Sequence, residues 1–362
     1  MSKVLYRKYR PKTFSEVVGQ EHVITTLQNA VKMDEVAHAY LFTGPRGTGK
    51  TTTARLFAKT LNCVEQKSEA CAKCEVCREV DEGIFVDLIE IDAASNRGID
   101  DIRELKEAVR FSPNKGKYKV YLIDEVHMLS KDAFNALLKT LEEPPAHVVF
   151  VLATTEPHKV LPTIISRTQR FDFRYLNTEE ITTRLGDLIK RENKKLDDDV
   201  IRLVVAASGG SLRDAESILG KVLSVGNIDA TKARSLLGVT DFEKIASFTG
   251  LIAELKKEEA IKFIDNLNKE GGDMRQFANN VIEYARTLLL LKLSPSSKEM
   301  LTANFTAEEA ETASLGAQKL TEKQIYDIIR EFITASNSVK TAPLPQLPLE
   351  LAVVALCPEK DS

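Results

Sequence analysis

Gly44-Pro45-Arg46-Gly47-Thr48-Gly49-Lys50-Thr51 has the residue types and spacing of a loop that grips phosphate. In the pattern G-x-x-x-x-G-K-[S/T], glycines let successive backbone N–H groups turn inward around phosphate oxygens. Lys50 adds a point charge, Thr51 reaches Mg²⁺, and Thr52 extends the binding set into the next segment. A nucleoside triphosphate is the implied ligand. Further along, VYLIDE (120–125) ends an apolar run in two carboxylates. At a strand tip beside a phosphate loop, Asp124 suits the metal's shell and Glu125 suits the polarising of an attacking water. VVFVLATT (148–155) ends a neighbouring run in polar residues and puts Thr155 level with the γ-phosphate side of such a site. Arg167, in Ile164-Ile165-Ser166-Arg167, and Arg213, in Gly210-Ser211-Leu212-Arg213-Asp214, could each stabilise charge on a transferred phosphoryl group, in cis or from a neighbouring subunit. Taken singly, an arginine is more often a surface or salt-bridge residue.

Four of the five cysteines form a second constellation, Cys63, Cys71, Cys74 and Cys77, spaced C-x₇-C-x₂-C-x₂-C. Two chelating C-x₂-C turns sharing Cys74, plus one more distant thiolate, complete a tetrahedral S₄ shell for Zn²⁺, a closed structural site with no open position for catalysis. Disulfides are the ordinary reading of clustered cysteines in a secreted chain, yet nothing here points to export. An iron–sulfur cluster is the alternative, although the usual fourth cysteine followed by proline is missing. Cys357 stands alone and reads as a buried apolar side chain.

Apolar spacing over 14–33 predicts a helix before the phosphate loop, and the loop lies between a strand-like run (His38 to Thr43) and a helix-like run (Thr52 to Leu61). VDLIEIDA (86–93) reads as a buried strand, followed by a helix, the VYLIDE strand, a helix around Asp132 to Leu141, a Pro-Pro stop and the VVFVLATT strand. Strands alternating with helices argue for a parallel sheet covered on both faces. From about Tyr175 the chain is helical throughout, including Gln276 to Leu293 and Leu349 to Leu356. Three domains are expected: an α/β domain over 1–174 with a zinc module at about 62–79, a small helical domain over 175–240, and a larger helical domain over 241–362 beginning near Thr240-Asp241.

The bulk properties agree with this division. At 362 residues the chain exceeds one ordinary core, and 43% hydrophobic and 28% charged residues suit folded domains rather than disorder. The charged N-terminus lacks the apolar stretch of a secretory signal and no run approaches membrane-spanning length, so a cytoplasmic location is expected. A net charge of −3 does not exclude nucleic acid, which a local basic stripe can hold. Lys3, Arg7, Lys8, Arg10 and Lys12, interleaved with Tyr6 and Tyr9, form such a cluster; a solvated segment and a nucleotide- or DNA-contacting one remain open. Ser95-Asn96-Arg97-Gly98, before a helix at Ile99, reads either as a DNA-phosphate contact without base readout or as a plain N-cap.

The phosphate loop, DEVH (124–127), NALLKTLEEPP (135–145), LATT, SR (166–167) and GSLRDA (210–215) occur in the order and spacing of AAA+ clamp-loader ATPases, which this chain resembles. YRKYRPKTFSEVVGQEHV at the start, together with the cysteines, is similar to the gamma/tau family of bacterial DNA polymerase III. The resemblance is strong to about residue 240. It implies an α/β P-loop NTPase (AAA+) domain with a parallel sheet and a zinc-binding insertion, then a helical lid and a helical C-terminal collar. It further implies ATP as the nucleotide, in keeping with the lack of an N-K-x-D guanine-reading motif. Asp124 becomes the metal ligand, Glu125 the catalytic base, Thr155 sensor 1, Arg167 an arginine finger given in trans, and Arg213 sensor 2 closing the lid in cis. The implied activity is ATP hydrolysis that opens a ring-shaped sliding clamp and places it on primed DNA within a polymerase holoenzyme. Other loader subunits, the clamp and primer–template backbone are the implied partners, with no membrane. The alternatives are another AAA+ enzyme (a helicase or protein remodeller), or a nucleotide-binding scaffold without turnover. The long C-terminal extension of tau-type proteins is not present before Ser362. The chain departs from the family at Thr168, commonly cysteine, and at Gly220-Lys221, commonly Asp-Gln, which bears on how the lid helix packs.

Overall fold

Alternating side chains along three strands sort the first part of the chain into two apolar layers. In a computed structural model, Leu41, Tyr121, Ile123, Phe150 and Leu152 face one core, while Tyr40, Phe42, Val120, Leu122, Val149 and Val151 face the other. The structure describes residues 4–65, 68–96, 98–226, 228–237, 242–294 and 307–358, and the chain divides into two compact units. Thr240 and Asp241, Lys3 of the basic cluster and Arg97 lie outside the described residues.

The first unit comprises 1–196 and 204–227. After a single-turn helix α1 (Leu5–Lys8) and helix α2 (Glu21–Lys32), strand β1 (Ala39–Thr43) leads through the phosphate loop into α3 (Lys50–Leu61). Then come α4 (Glu75–Glu82), β2 (Leu88–Asp92), α5 (Ile99–Ala108), β3 (Lys119–Asp124), α6 (Lys131–Glu142), β4 (Val148–Thr154), α7 (Pro162–Ile165) and β5 (Gln169–Asp172). Helices α8 (Thr178–Arg191), α9 (Asp198–Ser208) from residue 204 on, and α10 (Leu212–Val225) follow; the start of α9 belongs to the second unit. All strand pairings are parallel, in the order β2-β3-β4-β1-β5. Helices α2 and α3 supply Val23, Leu27, Leu56 and Phe57 to one core, and α5 and α6 supply Leu105, Phe134, Leu137 and Leu141 to the other. The carboxyl ends of β1, β3 and β4 therefore lie side by side, where an open α/β sheet binds its ligands.

Two elements differ from the expectation. The run 14–33 is broken at Gly19 (φ +74) into a 3₁₀ turn (Phe14–Glu16) and α2. The strand within 86–93 is the sheet's edge and only half-buried, because β2 has a partner on one side alone. β5, whose QRFD sequence buries only Phe171, has no apolar period to betray it.

The second unit, 197–203 with 228–362, is helical throughout its described residues. It contains α11 (Ala230–Leu237), α12 (Phe242–Ala253), α13 (Lys257–Lys269), α14 (Met274–Leu293), α15 (Ala307–Lys319), α16 (Glu322–Ser338) and α17 (Leu347–Leu356). Phe248 anchors its core against Phe277 and Phe332 at centroid distances of 5.0 and 5.8 Å. Cys357 is buried there, as an apolar side chain would be. Among the described residues no helix is long and apolar enough to cross a membrane.

Candidate nucleotide site and metal centre

The loop after β1 is shaped by glycine. Gly47 (φ +79) and Gly49 (φ +102) hold backbone that an L side chain enters only under strain, and nothing lies within 4 Å of where a Cβ on Gly49 would stand. A Cβ on Gly47 would stand 2.1 Å from the hydroxyl oxygen of Ser211, the N-cap of α10. Lys50 is buried at the start of α3, and its ammonium donates to the carbonyls of Gly44 (2.7 Å) and Pro45 (2.8 Å). Burial pulls its pKa down, opposed by the carboxylates of Glu125 and Asp124. The Thr51 hydroxyl donates to Asp124 Oδ2 at 2.7 Å, so the two oxygens expected to share Mg²⁺ already face each other. A cavity of about 320 Å³, within the range of small-molecule sites, opens over this cradle. Its walls include Arg46 to Thr52, Asp124, Glu125 and Arg213.

β3 delivers Asp124 by ending there, and Glu125 turns off the strand in the left-handed region (φ +50). Such a residue needs its surroundings to hold it. Glu125 Oε2 accepts from the Thr155 N–H (3.1 Å) and the Thr155 hydroxyl (2.9 Å), just past the end of β4. His127 stands beside this pair, with Nδ1 2.9 Å from Thr154 Oγ1 and 3.4 Å from Glu125 Oε2. DEVH contained this histidine without any signal of where its ring would go.

The N-terminal segment and α10 close the cavity's far side, where Tyr6, Arg7, Arg10, Leu212, Arg213 and Glu216 line it. Burial weighs against the Arg10 charge, and so do the neighbouring cations Arg55, Arg7 and Arg213, while Glu90 favours it. An anion placed among these cations would relieve their repulsion. The structure thus sets three members of the basic cluster's 6–10 stretch on the nucleotide cavity, whereas Lys8 pairs with Glu192 at 2.6 Å. Glu216 and Arg184 form a buried pair at 3.1 Å; burial raises the Glu216 pKa and Arg184 opposes it. Arg213 and Arg7 hold the Tyr6 phenol below its ordinary range.

Arg167 lies away from these groups. Its guanidinium donates to Glu142 (2.8 Å) and to the Thr163 carbonyl (2.9 Å), and it does not line the cavity of its own chain. The Thr168 hydroxyl donates to carbonyls at the end of α7, and Gly220 lies within an unbroken α10, its Cβ position 3.6 Å from Leu5 Cγ. Of the 95–98 stretch, Ser95 and Asn96 bond back to Asp92 at 2.8 and 3.0 Å.

The four clustered cysteines converge. Their sulfurs all lie within 4.8 Å of one another, and Cys71 Sγ is 3.9 Å from Cys77 Sγ. An S₄ tetrahedron with Zn–S bonds of about 2.3 Å has edges of about 3.8 Å, so the set fits zinc. Cys63 follows the end of α3 and Cys74 caps α4. The Cys71 sulfur faces backbone N–H groups of Lys73 and Cys74, which draw its thiol down to about 6, while burial pushes Cys63 and Cys77 up. Ala72, in the left-handed region (φ +56), makes the tight turn that aims those amides.

The chain is similar to known proteins over most of its length. A family model described as DNA polymerase III, delta subunit, matches 19–177, and one described as DNA polymerase III subunits gamma and tau domain III matches 228–361. DNA polymerase III subunit tau of Bacillus subtilis is 40% identical over 357 residues, 98% of this chain and 63% of that protein. Subunit tau of Escherichia coli is 42% identical over 297 residues, 81% of this chain and 46% of its own length. Subunit gamma of Buchnera aphidicola is 37% identical over 295 residues, 81% of this chain and 81% of that protein. The chain spans less than two-thirds of the tau relatives but most of the gamma relative, and with that identity and the match to gamma and tau domain III it belongs to the DNA polymerase III gamma/tau family.

Proposed function

We propose that this chain is the ATP-hydrolysing motor of a DNA polymerase III clamp loader, opening a ring-shaped sliding clamp and placing it on primed DNA. The observation that carries the reading is the single cavity on which Lys50, Thr51, Asp124, Glu125 and Arg213 converge. A scaffold without turnover has no need of Glu125 held beside Thr155 at the end of the Asp124 strand. Loop amides of 44–49 and Lys50 cradle the phosphates, and Thr51 with Asp124 holds Mg²⁺, which neutralises charge at the β- and γ-phosphates when bound. Glu125 accepts a proton from the attacking water, and Thr155 fixes the carboxylate that does so. Arg213 reaches the nucleotide from the lid (175–240) in cis, and Arg167 serves the site of a neighbouring subunit, assembled through the collar (241–362). DNA is met through its backbone, since loading at any primer–template junction asks for no base readout.

The test is ATP hydrolysis by the chain alone, in the assembled loader, and with clamp plus primed DNA. Weak activity alone and strong stimulation by clamp and primed DNA together is expected, because a finger supplied in trans completes the site only on assembly. Turnover indifferent to the clamp would overturn the loader reading in favour of another AAA+ activity, and no turnover in any assembly would favour the scaffold.

The cysteine cluster is proposed to hold one structural Zn²⁺ per chain. Elemental analysis should find about one zinc and little iron, without cluster absorbance. Cys74→Ser should lose the metal and destabilise the 62–79 module, whereas Cys357→Ser, in the second unit, should leave metal content unchanged.

A further inference from the structure

Arg213 is exposed on α10, and a free arginine there would sample many rotamers before meeting a phosphate. In this structure its guanidinium carbon lies 4.8 Å from the centroid of Tyr6, inside the range of a cation–π contact. The adjacent Arg7 shares the ring at 5.8 Å. Tyr6 is itself held on both sides. Leu5 is buried, and its side chain packs toward Gly220 of α10. The Tyr9 carbonyl accepts from Arg184 at 2.6 Å, and Lys8 pairs with Glu192 at 2.6 Å. Farther along, the Lys12 carbonyl accepts from the buried ammonium of Lys59 on α3 at 3.0 Å, which ties the same segment to the phosphate-loop helix. The backbone N–H of Arg213 meanwhile donates to the Gly47 carbonyl at 3.4 Å, so arginine, ring and loop share one wall of the cavity.

We propose that Tyr6 is a positioning residue that holds Arg213 on its ring face, aimed into the nucleotide cavity, so that binding a γ-phosphate costs little further ordering of that side chain. The inference rests on the nucleotide-site reading above. It predicts an effect on the discrimination between ATP and ADP, because an arginine ordered toward the terminal phosphate is of use only when that phosphate is present. A side chain that merely stabilises the fold would change both affinities alike.

The experiment is calorimetric titration of the purified chain with ATP and with ADP, in the presence of Mg²⁺, for wild type, Tyr6→Leu, Tyr6→Phe, Arg213→Ala and the double variant Tyr6→Leu/Arg213→Ala. Tyr6→Leu should weaken ATP by about three- to fivefold, the upper part of the range for an exposed cation–π contact, and leave ADP within about twofold. Tyr6→Phe should retain the wild-type ratio. On the Arg213→Ala background, Tyr6→Leu should add nothing. Should Tyr6→Leu fold poorly, pentafluorophenylalanine at position 6 keeps the ring's shape while reversing its quadrupole, and it should give the same selective loss of ATP affinity. Equal weakening of ATP and ADP, losses that add to those of Arg213→Ala, tighter ATP binding, or a Tyr6→Phe variant as impaired as Tyr6→Leu would each overturn the inference. Wild type that binds neither nucleotide would instead overturn the nucleotide-site reading, so the two failures are distinguishable.

Discussion

Arg167→Ala, measured in the assembled loader, should lower ATP turnover by about a thousandfold while ATP affinity of the isolated chain stays within about twofold. The separation follows from where the residue sits. Its guanidinium is occupied by Glu142 and the Thr163 carbonyl and does not reach the cavity of its own chain, so its removal takes nothing from nucleotide binding in cis. In a neighbouring subunit's site it would meet charge that develops only as the γ-phosphoryl group departs, the circumstance in which an arginine acts on rate rather than on affinity. Mixing Arg167→Ala chains with Glu125→Gln chains gives a sharper form of the test. Sites that combine a normal Glu125 with a neighbour's normal Arg167 should be the ones that turn over. Equal loss of binding and turnover in Arg167→Ala would mean the residue supports its own chain's structure instead.

Glu125→Gln should leave ATP bound and unhydrolysed, with turnover lowered by about a hundred- to ten-thousandfold, the usual worth of a positioned general base. The amide keeps the size of the carboxylate, and its oxygen can still accept from the Thr155 N–H and hydroxyl that hold Oε2 at 3.1 and 2.9 Å. The left-handed turn at Glu125 is a backbone property that glutamine can also adopt, so the cradle of Lys50, Thr51 and Asp124 should remain formed. What the variant lacks is a group able to take a proton from water. Chromatography of nucleotide extracted from the purified protein should therefore find ATP in place of ADP, and hydrolysis at the wild-type rate would remove Glu125 from the role of base.

The chemistry was most legible where it is contiguous. A phosphate loop is one stretch of backbone whose glycines, lysine and threonine act within a single strand–turn–helix, so its composition and its geometry are nearly the same statement. The cysteines are similar, since two C-x₂-C turns close upon themselves once the end of α3 brings Cys63 near. Continuous apolar runs likewise announce β1, β3 and β4, because each is buried on both faces. The edge strands differ: β2 is a strand as expected but only half-buried, and β5 has no counterpart in the sequence expectation. A strand with one neighbour buries few side chains and writes little periodicity into its sequence.

Tertiary structure alone decided which distant residues meet. The parallel order β3-β4-β1 brings Asp124 to Thr51 and Thr155 to Glu125, pairs separated by 73 and 30 positions. The basic N-terminal stretch could have been solvated, bound to DNA or turned to nucleotide. Burial of Leu5 and the Arg184 bond to Tyr9 set Tyr6, Arg7 and Arg10 on the cavity wall. Arg167 and Arg213 looked alike as single arginines, and only the fold turned one toward its own cavity and the other away. Sequence thus determined the chemical groups and the local turns that present them, since backbone conformation and residue type are short-range properties. Their convergence depends on sheet order and helix packing, which arise from burial of apolar faces contributed by the whole unit.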